Sequence, residues 1–396
     1  MTALQQTSSP LAAIQPRPQK PLVMLILGIL VAGSIALAVL YGWQQGILLI
    51  VGGLFGATLY HAGFGFASSY RKLFVYGEVR GVLAQMVMLT VVTLLFAPFL
   101  VTGQFEGSLA PVAVQAVIGS LLFGVGMQLG SGCACGTLYA IGGGSSMMLL
   151  TLLTFGLGSF WASLTGAMWA NLPRTSGPIS LAASLGWGGV GIQLAVIGLC
   201  AVGLWWWGRR HGEVMLSVGF GQDWHWRSLL CGPWSLVSGG ILLAVLNWVT
   251  LLVAGRPWGV TWGFTLWTAK IAQSLGWDPD SSFFWVQDFP RTALESSIWG
   301  DITSVMNIGI VLGASLAASL AGRMSVRQPP SRLGMVGSLL GGILMGYGAS
   351  LAFGCNVGAY FSGIASTSLH GWLWIGFALI GSAVGVRLRP WFHLSN

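Results

Sequence analysis

Two glycine-rich stretches, GSLLFGVGMQLGSGCACG at residues 119–136 and GGILMGYGASLAFGCNVG at residues 341–358, align without a gap. Eight of the eighteen aligned positions are identical, and they include Cys133 with Cys355 and the glycine before each cysteine. Glycine is abundant throughout the chain, but the matched cysteine and the ungapped register favour duplication over chance. We therefore predict that the fold contains two copies of one helical unit.

The composition of the 396-residue chain is typical of a membrane protein. Hydrophobic residues make up 55% and charged residues 7% of the sequence, whereas about 25% of residues are charged in soluble domains. Apolar runs of about 20 residues, long enough to cross the hydrocarbon core of a bilayer, recur along the chain. We therefore predict an all-α polytopic membrane protein. The net charge of +8 then indicates cytoplasmic basic loops and not nucleic-acid binding.

Eleven hydrophobic segments can be delimited, and the loops between them differ in charge. Basic clusters follow the second, sixth, ninth and last segments, which places these loops and the C-terminus in the cytoplasm. The acidic loop 276–298 fits the outer side, so 259–275 is predicted to be a re-entrant or broken helix that does not cross. The segments are 21–42, 45–69, 80–102, 111–131, 147–170, 186–208, 229–254, 259–275, 300–322, 334–353 and 368–388.

The two copies are predicted to be inverted. The same assignment of loops sends 111–131 inward and 334–353 outward, an arrangement found in many transporters. A weaker match pairs Gly65-Phe66-Ala67 with Gly263-Phe264-Thr265 upstream of the two motifs. The expected organisation is a disordered tail at 1–20, an extra transmembrane helix at 21–44, a first inverted repeat at 45–170, connecting transmembrane helices at 171–258 and a second inverted repeat at 259–390.

Each Gly-Cys motif closes a hydrophobic span and is followed by a short polar segment. These segments are TLYAIGGGSS after Cys135 and AYFSGIASTS after Cys355. They predict a helix that stops partway, turns and continues, since glycine permits the turn and close approach of the backbone. A buried half-helix that begins there points unpaired N–H groups and a partial positive charge at the site. We therefore predict that the two motifs bind a small anion near the membrane midplane.

The cysteines could also form a metal site, form a disulfide or serve only in packing. Structural zinc takes four N or S ligands, Cys-x-Cys is not the usual ligand spacing, and no histidine is near either motif, so we expect no metal. A Cys133–Cys135 disulfide would be strained, and a Cys133–Cys355 bridge would block a central path. Cys200 and Cys231 lack a repeat partner and are interpreted as small apolar packing residues. Between function and packing, the role of Cys135 stays open.

Lys270 is the main charged candidate, because it lies in a hydrophobic stretch. Ionisable residues there are usually functional, yet snorkelling of its ammonium to the interface is an equal alternative. Arg71 and Lys72 are interpreted first as cytoplasmic anchors. Side chains that could donate hydrogen bonds to an oxyanion are Tyr139, Asn356, Ser145 and Ser146, although the serines could equally cap helices.

The paired motifs Gly132-Cys133-Ala134-Cys135-Gly136 and Gly354-Cys355-Asn356-Val357-Gly358 resemble the GGCxxG-type motifs of the YeeE/YedE family. This sulfur-transport family consists of bacterial inner-membrane proteins, whose characterised members take up thiosulfate. The resemblance covers roughly residues 45–390. It implies an hourglass-like protein of pseudo-symmetric halves, in which cysteine thiols pass thiosulfate along a narrow central path.

Two departures from the family pattern accompany this resemblance. Cys133 and Cys355 match the two central cysteines of the family. The third family cysteine lies in a motif like GRFCLTGGFRD, which aligns with Gly63–Arg71, and Gly65 occupies its place here. Cys135 is an additional cysteine. The departures leave open a related sulfur or selenium anion in place of thiosulfate.

These observations predict a bacterial inner-membrane permease, and not an enzyme, for thiosulfate or a similar small anion. We expect no cofactor, and the resemblance implies a cytoplasmic sulfur-carrier protein as a partner. The alternatives are a transporter of a related anion, a membrane thiol redox protein that uses Cys133 and Cys135, and a structural subunit of a larger complex. The residues expected at the path are Cys133, Cys355, Cys135, Gly65, Gly132, Gly136, Gly354, Asn356, Gly358 and Lys270.

Overall fold

The computed structural model describes residues 17–169, 171–211, 226–326 and 331–396. The chain is 77% helical with almost no sheet, which confirms the all-α polytopic prediction. Of the predicted N-terminal tail, residues 1–16 lie outside the described residues.

The first part of the chain contains four long helices before the first Gly-Cys motif, and a short helix follows a break within each of two hydrophobic segments. The short helices, α3 and α6, have 11 and 9 residues. The elements are α1 (Lys20–Tyr41), α2 (Trp43–Ala62), α3 (Phe66–Tyr76), α4 (Arg80–Val101), β1 (Pro111–Ala113), α5 (Val114–Leu129), α6 (Ala134–Gly142) and α7 (Ser146–Thr165).

The middle of the chain carries the only sheet found among the described residues. Its strand β2 (Arg174–Pro178) pairs antiparallel with β1, a pairing that the hydrophobic pattern did not predict. The predicted span 229–254 is divided between α10 and α11. The helices here are α8 (Leu181–Leu185), α9 (Trp187–His211), α10 (Trp226–Cys231) and α11 (Leu236–Ala254).

The last part of the chain repeats the pattern of a long helix, a break at a cysteine and a shorter helical piece. After the second break the backbone forms a π-helical turn over Asn356–Phe361. The α-helices are α12 (Thr261–Ser274), α13 (Asp288–Glu295), α14 (Ile302–Leu320), α15 (Arg332–Leu351), α16 (Ser362–Ala365) and α17 (Leu369–Leu388).

Several helix ends are set by capping residues. Asp301 accepts a hydrogen bond from the Ser304 N–H at 2.7 Å at the start of α14. Ser331 accepts one from the Gly334 N–H at 2.9 Å at the start of α15. The C-cap of α2 is Gly63, with φ 55°, a left-handed conformation that glycine adopts without a steric penalty. These capping residues explain why α14 and α15 begin, and why α2 ends, at these positions.

Ten helical segments among the described residues are long and apolar enough to cross a membrane. Three of them, Trp43–Tyr76, Val114–Gly142 and Arg332–Ala365, contain a break between two helical pieces. The helix α12 has 14 residues and is not among the ten, and the re-entrant course of 259–275 stays a prediction. It packs with α13 and the loop between them, around the buried side chain of Trp285.

Helices α5 and α15 cross at the centre of the fold through glycine. A Cβ atom added to Gly119 would lie 2.6 Å from the Gly348 carbonyl oxygen, and one added to Gly126 would lie 2.7 Å from that of Gly341. Only glycine allows helices to approach so closely. In the aligned stretches Gly119 corresponds to Gly341 and Gly126 to Gly348, so exchanging the two copies leaves the contact unchanged. This is the behaviour of a pseudo-twofold contact. Inversion of the copies across the membrane stays a prediction.

Candidate functional site

Both Gly-Cys motifs lie at a break between two helical pieces. Helix α5 ends before Cys133 and α6 begins after it, while α15 ends before Cys355 and the π-helical turn begins after it. Ser131 and Phe353 each lie two residues before these cysteines, and each has φ 58°. A left-handed backbone is uncommon for residues other than glycine. The two motifs therefore share this left-handed conformation at equivalent positions.

The two central cysteines are the N-cap residues of the helical pieces that follow them. The Cys355 Sγ accepts a hydrogen bond from the Val357 N–H at 3.4 Å. A Cβ added to Gly136 would lie 3.3 Å from the Cys133 Sγ, so this thiol lies over the first turn of α6. Each thiol therefore lies at a helix N-terminus, where N–H groups and a partial positive charge favour an anion.

Three thiols are brought into one buried region. Cys133, Cys135 and Cys355 are each 1% exposed, and the Sγ atoms of Cys133 and Cys135 are 3.5 Å apart. Cys355 lies within electrostatic range of both. By contrast, Cys200 is exposed and Cys231 is half-buried, and all five cysteines are free. The two duplicated cysteines, Cys133 and Cys355, therefore lie in the same buried region, where Cys135 is in direct contact with Cys133.

A cavity of about 200 Å³, here the first cavity, reaches Cys133. A water molecule occupies about 30 Å³ in the liquid, so the first cavity has room for a small anion. Three of the predicted site glycines lie on its wall, and they leave backbone exposed where side chains would otherwise project. Its glycine, cysteine and hydroxyl-bearing lining residues are Gly65, Gly132, Gly136, Gly143, Cys133, Ser68, Ser131, Ser145, Tyr60 and Tyr139.

A second cavity of about 260 Å³ reaches the residues directly before Cys355. Its wall includes Phe353 and Gly354, which are the repeat equivalents of Ser131 and Gly132 in the first cavity. Two hydroxyls on this wall are joined through Ser159, which bonds Thr265 and also Ser350, the latter at 2.8 Å. The polar side chains that line this cavity are Gln115, Ser163, Thr261, Thr265 and Ser350, together with the indoles of Trp169 and Trp262.

The two cavities lie at opposite ends of α7. The first cavity contacts Ser145 and Met148 at the start of this 20-residue helix, and the second contacts Ala162 and Ser163 near its end. A helix of this length measures about 30 Å, which matches the hydrocarbon thickness of a bilayer. The first cavity therefore contacts Cys133 near one end of α7, and the second contacts Gly354, the residue before Cys355, near the other end.

Gly65 lies in the first cavity, next to two hydroxyls. A Cβ added to Gly65 would lie 3.4 Å from the Tyr139 hydroxyl and 2.5 Å from the Ser68 Oγ. A side chain at this position would therefore displace Ser68. Where the family motif has its third cysteine, this chain presents hydroxyl groups.

The remaining predicted site residues divide into two groups. Asn356 and Gly358 lie at the second break, and the Gly358 carbonyl accepts a hydrogen bond from Ser108 at 3.0 Å. Lys270 is not brought to the thiols: its Nζ donates to the carbonyl oxygens of Leu294 and Ser296, each at 2.6 Å. It thereby fastens α12 to the end of α13, and its attraction for an anion stays a prediction.

Two polar residues near the thiols were missed in the sequence. Tyr70 and Gln85 are buried, and the Tyr70 hydroxyl donates to the Gln85 Oε1 at 2.9 Å. Gln85 lies inside the hydrophobic run that forms α4, where an uncharged amide has no water to satisfy it. That position is the signal that could have identified it.

The sequence of this chain matches a known protein family. A family model described as sulphur transport matches residues 61–384, which include both breaks and both central cysteines. The chain belongs to the sulphur transport (YeeE/YedE) family. Family membership confirms the resemblance that the paired Gly-Cys motifs indicated, and it identifies the chain as a multi-pass membrane protein of sulphur transport.

Individual relatives of the family match different shares of the chain. The thiosulfate transporter TsuA of Spirochaeta thermophila is 28% identical over 344 residues, which cover 84% of this chain and 96% of that protein. TsuA of Escherichia coli is 26% identical over 364 residues, 87% of this chain and 93% of that protein. The probable transporter YedE of Escherichia coli is 33% identical over 163 residues, 41% of this chain and 40% of that protein.

Proposed function

We propose that this protein is a permease of the bacterial inner membrane that takes up a small sulfur-containing anion, with thiosulfate as the preferred substrate. One observation carries the proposal: Cys133 and Cys355 cap two buried half-helices between cavities at opposite ends of α7. The two relatives that are named thiosulfate transporters and that match most of the chain support the choice of thiosulfate.

The proposed path runs from the second cavity past Cys355 and Cys133 to the first cavity. The half-helix N-termini offset the negative charge of the anion without a fixed cation. A neutral thiol is a weak hydrogen-bond donor, so it contacts the polarisable sulfur atom without trapping the ion. Conduction requires this balance, because a site that binds tightly does not release. Backbone at Gly132 and Gly354 borders the two ends of the path.

The proposed architecture is two inverted repeats, at 45–170 and 259–390, with an extra helix at 21–44 and connecting helices at 171–258. The reciprocal glycine contacts of α5 and α15, and the shared turn before each central cysteine, support this duplication. The basic loops support a cytoplasmic C-terminus. The first cavity would then open to the cytoplasm, where a sulfur-carrier protein could receive the anion.

Replacement of each central cysteine tests the proposal. Cys133→Ala and Cys355→Ala should abolish uptake of radiolabelled thiosulfate by proteoliposomes, and growth of a transport-deficient host on thiosulfate as sole sulfur source. Cys231→Ala is the matched control, because this cysteine lies in α10, is half-buried and has no repeat partner. Full growth and uptake by both central variants, at wild-type expression, would contradict the proposal.

The distance of 3.5 Å between the Cys133 and Cys135 Sγ atoms favours a second candidate, a membrane thiol redox protein. A redox dithiol needs both of these cysteines equally, whereas transport depends on Cys133 and Cys355. Comparing Cys135→Ala with Cys355→Ala in the uptake assay separates the two functions. Parallel assays with thiosulfate, sulfite, sulfate and selenite identify the preferred anion.

A further inference from the structure

Four buried polar side chains form a group that we call the tyrosine–amide cluster: Tyr70, Gln85, Asn356 and Tyr360. Their exposed fractions are 1%, 0%, 0% and 1%, respectively. The Tyr70 hydroxyl donates to the Gln85 Oε1 at 2.9 Å and lies beside the side chains of Asn356 and Tyr360. The cluster therefore joins α3, α4 and the π-helical turn inside the protein.

The cluster lies next to the central thiols. Asn356 directly follows Cys355 in the chain, and Tyr70 lies within electrostatic range of Cys133 and Cys135. The Cys133 thiol also faces the backbone N–H of Phe66, which is the first residue of the helix that carries Tyr70. A ligand that contacts a central sulfur atom is therefore close to the polar groups of the cluster.

The cluster has more hydrogen-bonding groups than it uses. Within the described chain, the buried Gln85 Nε2 has no hydrogen-bond partner, and the buried Asn356 amide has only the Tyr70 hydroxyl beside it. Buried polar groups in native proteins are nearly always paired, because an unpaired one costs the full penalty of leaving water. The free amide group of Gln85 and the incompletely bonded amide of Asn356 therefore indicate a partner that is supplied from outside the chain.

The chemistry of the free groups defines this partner. Two amide N–H₂ groups and a tyrosine hydroxyl that can turn away from Gln85 are all hydrogen-bond donors. They carry no charge, so they can hold the oxygen atoms of an anion without retaining it. A sulfur oxyanion offers oxygen acceptors at one end, and thiosulfate offers a terminal sulfur at the other.

We propose that the tyrosine–amide cluster is a subsite that binds the oxygen atoms of a sulfur oxyanion while a central thiol contacts its terminal sulfur. The inference rests on the proposed transport function and deepens it. It makes the cluster a selectivity determinant against sulfur anions that lack oxygen. A site built to hydrogen-bond a substrate discriminates strongly against an analogue without the bonding group, since its own polar groups are then left unpaired.

Two nearly isosteric variants test the subsite in proteoliposomes. Tyr70→Phe removes one hydroxyl, and Gln85→Met removes the amide while keeping the length of the side chain. Each should raise the KM for thiosulfate about tenfold, the usual scale for a lost hydrogen bond to a charged group. Thiocyanate, a sulfur anion without oxygen, should inhibit both variants at the same concentration as it inhibits the wild-type protein. Selectivity for thiosulfate over thiocyanate then falls.

Tyr76→Phe is the matched control, because Tyr76 lies on the same helix as Tyr70 but is exposed, and its hydroxyl donates to the Asn396 carbonyl at 3.2 Å, outside both cavities. Its KM should equal that of the wild-type protein. The inference is overturned by an unchanged KM in both test variants, by an equal rise in the control, or by a parallel weakening of thiosulfate and thiocyanate. If the wild-type protein takes up no thiosulfate at all, the proposed function fails, and the subsite fails with it.

Discussion

The Sγ atoms of Cys133 and Cys135 lie 3.5 Å apart, on the same side of the first turn of α6. Cys133 has an equivalent in the second copy, namely Cys355, whereas the position equivalent to Cys135 is Val357. The contact therefore exists in one half only. Only the first half can therefore form a disulfide within its own motif.

Oxidation of this pair should block transport. Diamide converts two neighbouring thiols into a disulfide while its own N=N bond is reduced to a hydrazine. The two Sγ atoms are already 3.5 Å apart, and because the bridge between residues so close in the chain is strained, a thiol reductant should break it readily. We expect diamide to abolish thiosulfate uptake and dithiothreitol to restore it. Cys135→Ser should transport in the presence of diamide. Equal inhibition of this variant and of the wild-type protein would exclude Cys133–Cys135 oxidation as the cause.

The glycine crossing of α5 and α15 should be intolerant of side chains. In Gly119→Val, the new Cβ would meet the Gly348 carbonyl oxygen at 2.6 Å, and overpacking of this kind costs about 1–3 kcal/mol. A lower melting temperature of the purified protein, followed by tryptophan fluorescence, is expected. Gly203→Ala in α9 is the control, since an added Cβ there has no atom within 4 Å. Equal melting temperatures for Gly119→Val and the wild-type protein would argue against the crossing.

Lys270 should stabilise the segment that ends α13. Its Nζ is bonded to the carbonyls of Leu294 and Ser296, so Lys270→Met releases this segment from α12. Trypsin should then cut after Arg291, an exposed residue, faster than it does in the wild-type protein. Lys270→Met that retains the wild-type cleavage rate but loses uptake would instead favour the direct attraction of an anion by the ammonium group.

Arg389 should hold the C-terminal residues against the first break. This residue is 3% exposed, and its guanidinium donates to the Gln128 carbonyl and to the Ser131 Oγ, the latter at 3.1 Å. Arg389→Met leaves these buried acceptors without a donor, at a cost of about 1–3 kcal/mol. A lower melting temperature is expected, whereas Arg387→Met, at an exposed position of α17, should melt as the wild-type protein does. Similar losses in both variants would point to a general effect of positive charge.

Cysteine labelling should place the two cavities on different sides of the membrane. Ser145→Cys reports on the first cavity and Gly166→Cys on the second, both in a background in which Cys200 and Cys231 are replaced by alanine. A membrane-impermeant methanethiosulfonate should label Gly166→Cys in intact cells and Ser145→Cys only in inverted vesicles. Labelling of both from the same side would contradict the inverted arrangement.

The hydrophobic spans could be predicted from the sequence because a bilayer imposes its thickness on hydrophobic runs. The two central cysteines could be singled out because they match in the internal repeat. The charge of the flanking loops predicted that 259–275 does not cross, and the helix found there, α12, has 14 residues. The duplicated cysteines predicted two equivalent breaks, and Ser131 and Phe353 share one backbone conformation. These features depend on local sequence or on a direct internal comparison.

Other features depend on contacts between distant parts of the chain. The Tyr70 hydroxyl meets Gln85 from another helix, and Asn356 joins them from the second half of the sequence. No spacing in the sequence specifies that meeting. The second break also differs from the first, because a π-helical turn follows Cys355 where a regular α-helix follows Cys133. Such a difference arises from packing around the turn and not from the matched motif.

The backbone contacts of Gly119 with Gly348 and of Gly126 with Gly341 have a mechanical consequence. They are two helical turns apart along α5, and each brings main chain directly onto main chain. At both positions the two backbones are in direct contact. Because no flexible side chains lie between the helices there, one helix cannot slide past the other without a clash of backbone atoms. We therefore expect the centre of the protein to behave as a rigid frame, with substrate movement accommodated by side chains and not by rocking of the two halves.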